Sequence, residues 1–300
     1  MTVAMVVGLW LHLSAQQATF RTGTDLVNFG VTITDRRGAF LTELTADDFD
    51  IIEDGRKQTV KFFARGDDAV AGPEMHVGLL LDTSGSMGED IALARSAAVK
   101  FLNTLNDAKD MTLVDFDTEV RVAKYGQQDF PRMVERIRSR KPDGFTAMYD
   151  ALGVFLDGAE ENEGRTILVL FTDGGDTRSA ISFSDVMTLI RASDVTVYAI
   201  GFLEHQPGSV KNEQRIRLSQ ISEESGGQAF FPYSMKQIDD AYDKILMQIR
   251  AQYSLGYQST NAKQDGHWRK VEIKVKRPGL GEPRIQTRKG YFAPYKEKAQ

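Results

Sequence analysis

The residues best suited to chemistry are oxygen donors placed where an apolar run ends. Residues 76–81 (HVGLLL) read as a continuous apolar run, and Asp82-Thr83-Ser84-Gly85-Ser86 follows at once. Carboxylate, hydroxyl and hydroxyl thus stand at alternate positions where a buried strand becomes a loop. In an open parallel sheet that is the end at which ligands bind. Asp82, Ser84 and Ser86 can then turn their oxygens toward one point. Two hydroxyls and few carboxylates make a hard-oxygen site suited to Mg²⁺, and also to Mn²⁺ or Ca²⁺, with positions left for water. Zinc would want His or Cys, and neither stands here.

Two further oxygens arrive from other element ends. Gly144-Phe145-Thr146 opens a helix, and Thr146 can offer its hydroxyl. Phe171-Thr172-Asp173-Gly174-Gly175-Asp176 follows a second apolar run, 166–171 (TILVLF), and places Asp173 where that strand meets its loop. Each has an ordinary alternative: Thr146 could cap its helix, and Asp173 could serve turn chemistry. It is the three pieces together, in this order, that argue for a site.

The elements that must position these groups fall into three stretches. Residues 20–65 read as short strands: 25–34 alternates, 40–44 resumes extended structure, and 49–53 and 59–63 flank Asp54-Gly55, a tight-turn dipeptide. From about 75 to 253 strands and helices alternate. Strands are expected at 76–81, 111–116, 120–123, 166–171, 195–200 and 228–231, and helices at 91–105, 131–138, 147–159 and 235–251. That alternation predicts a Rossmann-like, doubly wound, mostly parallel α/β sheet with helices on both faces. Residues 253–257, 268–275 and 284–286 return to β, with Gly279-Leu280-Gly281 as a turn. Neither flank has strands enough for a sandwich alone. The flanks are therefore expected to pair into one small β-sandwich-like domain into which the α/β domain is inserted, with 65–73 as a linker.

DTSGS, GFTAMYDAL and FTDGGD, in that order on such a scaffold, resemble the metal-ion-dependent adhesion site of the von Willebrand factor type A family. The whole chain, with flanks such as LTADDFDIIEDGRKQTVKFF and WRKVEIKV ending in RKGYF, resembles a bacterial group of exported proteins of that family. The resemblance implies that Asp82, Ser84, Ser86, Thr146 and Asp173 hold the metal, and every ligand position of the pattern is filled. Asp150 and Asp176 are not ligand positions and read as supporting or capping residues. A cation held by two carboxylates and neutral hydroxyls keeps Lewis acidity, so its open position favours an oxygen anion, most readily a Glu or Asp carboxylate of a protein partner. The expected domains are 19–70 for the N-terminal β flank, 74–252 for the α/β domain and 253–295 for the C-terminal β flank.

Bulk properties narrow the classes. The 300 residues include no cysteine, which removes disulfides and thiolate chemistry. A net charge of -5 argues against a dedicated nucleic-acid binder, and the Lys- and Arg-rich tail at 263–298 reads as a solvated β surface or a phosphate patch. Residues 5–13 (MVVGLWLHL) have the length of a signal-peptide core and precede small residues Ser14, Ala15 and Ala18, although no Lys or Arg comes before them. Residues 1–18 are expected to be an export signal, which implies a secreted or cell-envelope protein, and nothing later resembles a membrane span. The rivals are a Mg²⁺-dependent phosphatase, which needs a second Asp where Ser84 stands, and a non-catalytic scaffold of the envelope. No Gly-x-Ser-x-Gly surrounds Ser86, and His12, His76, His205 and His267 form no cluster, so no catalysis is expected.

Overall fold

The computed structural model describes residues 26–66, 73–104 and 108–296; the expected export signal and most of the 65–73 linker lie outside them. The N-terminal flank supplies β1 (Val27–Thr34), β2 (Phe49–Glu53), β3 (Arg56–Gln58) and β4 (Val60–Arg65). In β1 the alternation buries Phe29, Val31 and Ile33 on one face. Asp54 and Gly55 both take positive φ (46° and 80°), the backbone that a two-residue hairpin requires. The strand that returns across this turn is β3, not the expected 59–63. β4 leaves instead for the opposite sheet, where it pairs with β11.

Nor do residues 40–44 form a strand. Phe40 makes a single bridge to Thr34. The Tyr253 hydroxyl then stands in for a strand neighbour, accepting from Leu44 N (3.0 Å) and donating to Leu41 O (2.7 Å). Leu44 can therefore plug the core without a ladder.

The α/β domain contains β5 (Met75–Asp82), α1 (Ile91–Thr104), β6 (Asp110–Phe116), β7 (Val120–Gly126), α2 (Phe130–Ser139), α3 (Met148–Ala159), β8 (Arg165–Thr172), α4 (Phe183–Ala192), β9 (Thr196–Gly201), α5 (Gly208–Glu224), β10 (Ala229–Phe230) and α6 (Met235–Ala251). Its sheet runs β10-β9-β8-β5-β6-β7, parallel except for the β7 edge. All eight residues of β5 are buried because helices cover both faces. Val77, Leu79 and Leu81 pack on the side of Phe101, Ile137 and Tyr242; Leu80 packs on the side of Leu152, Phe155 and Leu218. The chain moves outward from β5 in both directions, to β6 on one side and β8 on the other. The strand order therefore reverses at β5, and a crevice opens beyond its carboxyl end.

The C-terminal flank adds β11 (Tyr253–Tyr257), β12 (Trp268–Val275), β13 (Arg284–Gln286) and β14 (Gly290–Phe292). Two four-stranded sheets result, β13-β1-β11-β4 and β14-β12-β2-β3, each drawing two strands from each flank. One core joins them, built from Phe29, Ile33, Ile51, Tyr253, Leu255, Tyr257 and Ile273 among others. The flanks thus form one β unit. Only Gln252 separates α6 from β11, and Arg65 and Tyr253 are register partners, so the inserted domain leaves and re-enters the sandwich on neighbouring strands.

Side-chain donors fasten the two units together. Arg288 Nη1 donates to Ser193 O (2.9 Å), the C-cap of α4, and Nη2 to Asn28 O (2.6 Å). Gln286 Nε2 donates to Gly226 O (3.0 Å) and Gly227 O (2.6 Å), just past α5. Helix carboxyl ends carry unsatisfied carbonyls, so they welcome such donors. Replacing Tyr253 by Phe should remove the bridge that orders residues 41–44 and cost about 1–3 kcal/mol in urea denaturation, with no change in the cooperativity of the transition.

Candidate functional site

Asp82 ends β5 at the strand-order reversal and is fully buried. Its Oδ1 accepts from Ser84 N (3.0 Å) and Ser84 Oγ (2.6 Å), and its Oδ2 accepts from Thr172 Oγ1 (2.6 Å). With its proton directed at Asp82, Ser84 Oγ has lone pairs free to face outward. Ser86 Oγ lies 3.1 Å from Ser84 Oγ and belongs to an exposed residue at the mouth. The alternating pattern therefore produces a short chain of oxygens running from the buried sheet to the surface.

Thr146 is buried, and its main chain is taken up by the neighbouring loop: its N donates to Thr177 Oγ1 (3.0 Å), and its O accepts from Thr177 N (2.9 Å) and Arg178 N (3.0 Å). It does not cap α3. The N-cap position belongs to Ala147, and the first turn is capped from outside by Asp176 Oδ2 on Tyr149 N (2.9 Å) and Ser179 Oγ on Asp150 N (3.0 Å). Asp150 in turn accepts from Ala180 N (3.0 Å) and Ile181 N (3.2 Å). These two aspartates hold loop and helix together. The Thr146 hydroxyl is left with no hydrogen-bond partner among the described residues.

Backbone contacts stitch the three loops into one mouth. Gly85 N donates to Gly144 O (3.1 Å), Asp143 N to Thr83 O (3.0 Å) and Ala147 N to Asp117 O (2.8 Å). Gly144 sits at φ +72°, and a Cβ there would lie 2.4 Å from Thr118 Oγ1, which itself accepts from Phe145 N (2.9 Å). Only glycine fits that turn without strain.

Asp173 Oδ1 accepts from Gly175 N (2.9 Å), which is the turn chemistry expected of it, and Oδ2 accepts from Gln206 Nε2 (3.0 Å). Gln206 and Thr172 are contributors that motif reading missed. Thr172 stands inside the recognised FTDGGD string. Gln206 lies in the loop beyond β9, at the same end of the sheet, and that placement is the one signal that could have marked it. Next to it, His205 bridges Asp90 (Nδ1, 3.2 Å) and Glu89 (Nε2, 3.2 Å) across the rim. The hydrogen bond that His205 donates to Asp90 raises the His205 pKa above its ordinary value.

Among the described residues neither Asp82 nor Asp173 forms an ion pair. Burial, first, and the charge of Asp173, second, push the Asp82 carboxyl up to about 7. A buried carboxyl group beside a second one, next to the linked hydroxyls of Ser84 and Ser86, is an arrangement that a hard divalent cation relieves. The donor set fits such an ion. Among the described residues no group of three His, Cys, Asp or Glu could hold a metal, so a zinc-type centre finds no counterpart. His76, by contrast, sits near the opposite end of β5, held by Asp110 (3.0 Å) and Glu163 O (3.1 Å).

A sequence model of the von Willebrand factor type A domain matches residues 76–244. The chain belongs to that family. Domains of the family act as adhesion and protein-interaction modules. A comparison with curated proteins returns no significant match. Among solved structures, the chain is similar to a von Willebrand factor type A protein from Catenulispora acidiphila (14% identity, TM-score 0.50), over 93% of this chain and 76% of that one. It is also similar to the pilus adhesin SpaC from Lactobacillus rhamnosus GG in an open conformation (10% identity, TM-score 0.50), over 82% of this chain and 48% of that one. At these identities the likeness is one of fold. The family's parallel sheet accounts for the placing of the three loops at one end. No helix among the described residues is long and apolar enough to cross a membrane.

The raised carboxyl has a consequence for the metal-free protein. The folded state holds a proton on Asp82 up to about pH 7, whereas an unfolded Asp releases it near 4, so stability falls as pH rises through that window. Asp82→Asn should therefore be more stable than the wild type at pH 8 in EDTA, by roughly 2–4 kcal/mol in urea denaturation, and should gain nothing at pH 4.

Proposed function

We propose that this von Willebrand factor type A domain is a non-catalytic, metal-dependent binding module for a protein partner. The observation that carries the reading is the pair of buried carboxyl groups of Asp82 and Asp173, neither in an ion pair among the described residues, beside the linked hydroxyls of Ser84 and Ser86. Ser84, Ser86 and Thr146 would hold Mg²⁺, Mn²⁺ or Ca²⁺ through hydroxyl oxygens, with Asp82 and Asp173 balancing its charge. Such an ion supplies a Lewis-acidic position open to a Glu or Asp carboxylate of the partner. The chain's own part is to orient: Asp82 fixes the Ser84 hydroxyl, Thr172 fixes Asp82, and Gln206 fixes Asp173.

A non-catalytic role agrees with how the polar groups are used. The Ser84 hydroxyl bonds to Asp82 and to that of Ser86, with no imidazole partner among the described residues, and the second aspartate of a phosphatase pattern is replaced by Ser84. Phe145, next to Thr146, is 62% exposed, an unusual position for a large aromatic and one suited to an apolar contact beside the carboxylate. An extracytoplasmic setting belongs to the same proposal and rests on the apolar run at 5–13.

Calorimetric titration with Mn²⁺ tests the reading. One ion should bind, and Thr146→Ala or Asp173→Ala should weaken it by at least about tenfold; equal affinity in wild type and both variants would refute the site. Phe145→Ser should leave Mn²⁺ affinity unchanged while reducing partner recovered from an envelope extract in Mn²⁺. Recovery indifferent to EDTA would count against metal dependence.

A further inference from the structure

Most shielded guanidinium groups of this protein have something to answer their charge. Arg121 reaches Asp117 (2.8 Å), Arg136 and Arg140 converge on Asp115 (2.6 and 2.9 Å), and Arg269 reaches Asp265 (2.7 Å). Arg288 is held by two backbone carbonyls and lies 4.6 Å from the Phe29 ring centroid. Arg95 of α1 differs. Its Nε and Nη2 are closed off from solvent with no acceptor, and among the described residues it has neither an ion pair nor a hydrogen bond. Burial holds its pKa below the ordinary value, with no acidic neighbour among the described residues to counter it. A guanidinium with two of its nitrogens shut off from water and no acceptor gained is unfavourable unless something else supplies the oxygens.

The surroundings show where those oxygens would come from. Residues 95, 99 and 103 recur every fourth position along α1, with 96 and 100 beside them, so all five share one helix face. Arg95, Ser96, Val99, Lys100 and Asn103, with Arg138 from the last turn of α2, line a cavity of about 340 Å³. Arg138 is exposed and, among the described residues, has no ion pair or hydrogen bond. Lys100 is tied to Asp239 of α6. Of three cations around the groove, one is neutralised, leaving an excess of positive charge in a chain whose net charge is -5. Local attraction for an anion therefore exists against the overall sign.

We infer that the α1–α2 groove is an oxyanion-binding site in which Arg95 and Arg138 take one carboxylate or phosphate group, assisted by Ser96 and Asn103. Planar guanidinium forks match two oxygens of one group, and a cavity at the small end of the ligand-pocket range suits a single anionic group. The site uses none of the five oxygen donors proposed for the cation, so the two readings stand or fall separately.

The test uses the full chain in EDTA, with ionic strength held constant by sodium chloride, and two probes: inorganic phosphate and glutarate. At ten times its Kd either anion should raise Tm by about 3 °C. Arg138→Ala, at an exposed position that the fold does not need, should weaken binding about tenfold or more. Arg95→Met should abolish it, while its Tm without anion should be no lower than that of the wild type, since no native contact is lost. A stronger response to phosphate identifies a phosphate ligand, and a stronger response to glutarate an acidic side chain. The inference is overturned if neither probe raises Tm at millimolar concentration, or if the rise is the same in Arg138→Ala and in wild type. Should Arg95→Met fail to fold, Arg138→Ala decides alone.

Discussion

Two carboxyl groups, Asp82 and Asp173, meet at the carboxyl ends of β5 and β8 with no positive side chain to answer them among the described residues, so ionising both is costly, and much of the architecture follows from holding them there. A buried carboxylate is tolerated when its oxygens accept hydrogen bonds, and Asp82 uses both of its own, toward Ser84 and Thr172. Those bonds hold the group in place but do not offset the cost of ionising it. The cost of ionising Asp82 beside Asp173 is what a bound cation would offset, so the structural cost of the site and its affinity are two views of one quantity.

Precision comes from the backbone rather than from the donors. Gly85 with Gly144, Asp143 with Thr83, and Thr146 with Thr177 and Arg178 knit three loops that are distant in sequence. Capping of α3 by Asp176 and Ser179 from across the mouth has a second effect: it relieves Thr146 of that duty and leaves its hydroxyl uncommitted. The rigid sheet beneath, with β5 buried on both faces, gives the loops a fixed base.

The α/β alternation was legible because strands covered on both faces must be apolar throughout, as 76–81 and 166–171 are. The pairing of the flanks was legible because each had too few strands to close a core. What escaped was non-local. The departure of β4 to the second sheet depends on a partner, β11, nearly two hundred residues away. The stretch 40–44 looked extended, but Tyr253 supplies from a side chain what a neighbouring strand would have given. At the site, the DTSGS, GFT and FTDGGD strings marked the loops correctly as neighbours, whereas Gln206 carries no local pattern and is found only once β9 lies beside β8.

The way the α/β domain is plugged into the sandwich bears on mechanical load. It is tethered by β4 and β11, which are hydrogen-bonded to each other at Arg65 and Tyr253, and β11 is flanked on its other side by β1. Tension on the inserted domain thus reaches both strands from the same end and runs along the ladders, not across them. The hydrogen bonds from Tyr253 to Tyr257 are strained in parallel instead of being peeled one by one, so the joint resists pulling with the strength of a whole strand pair.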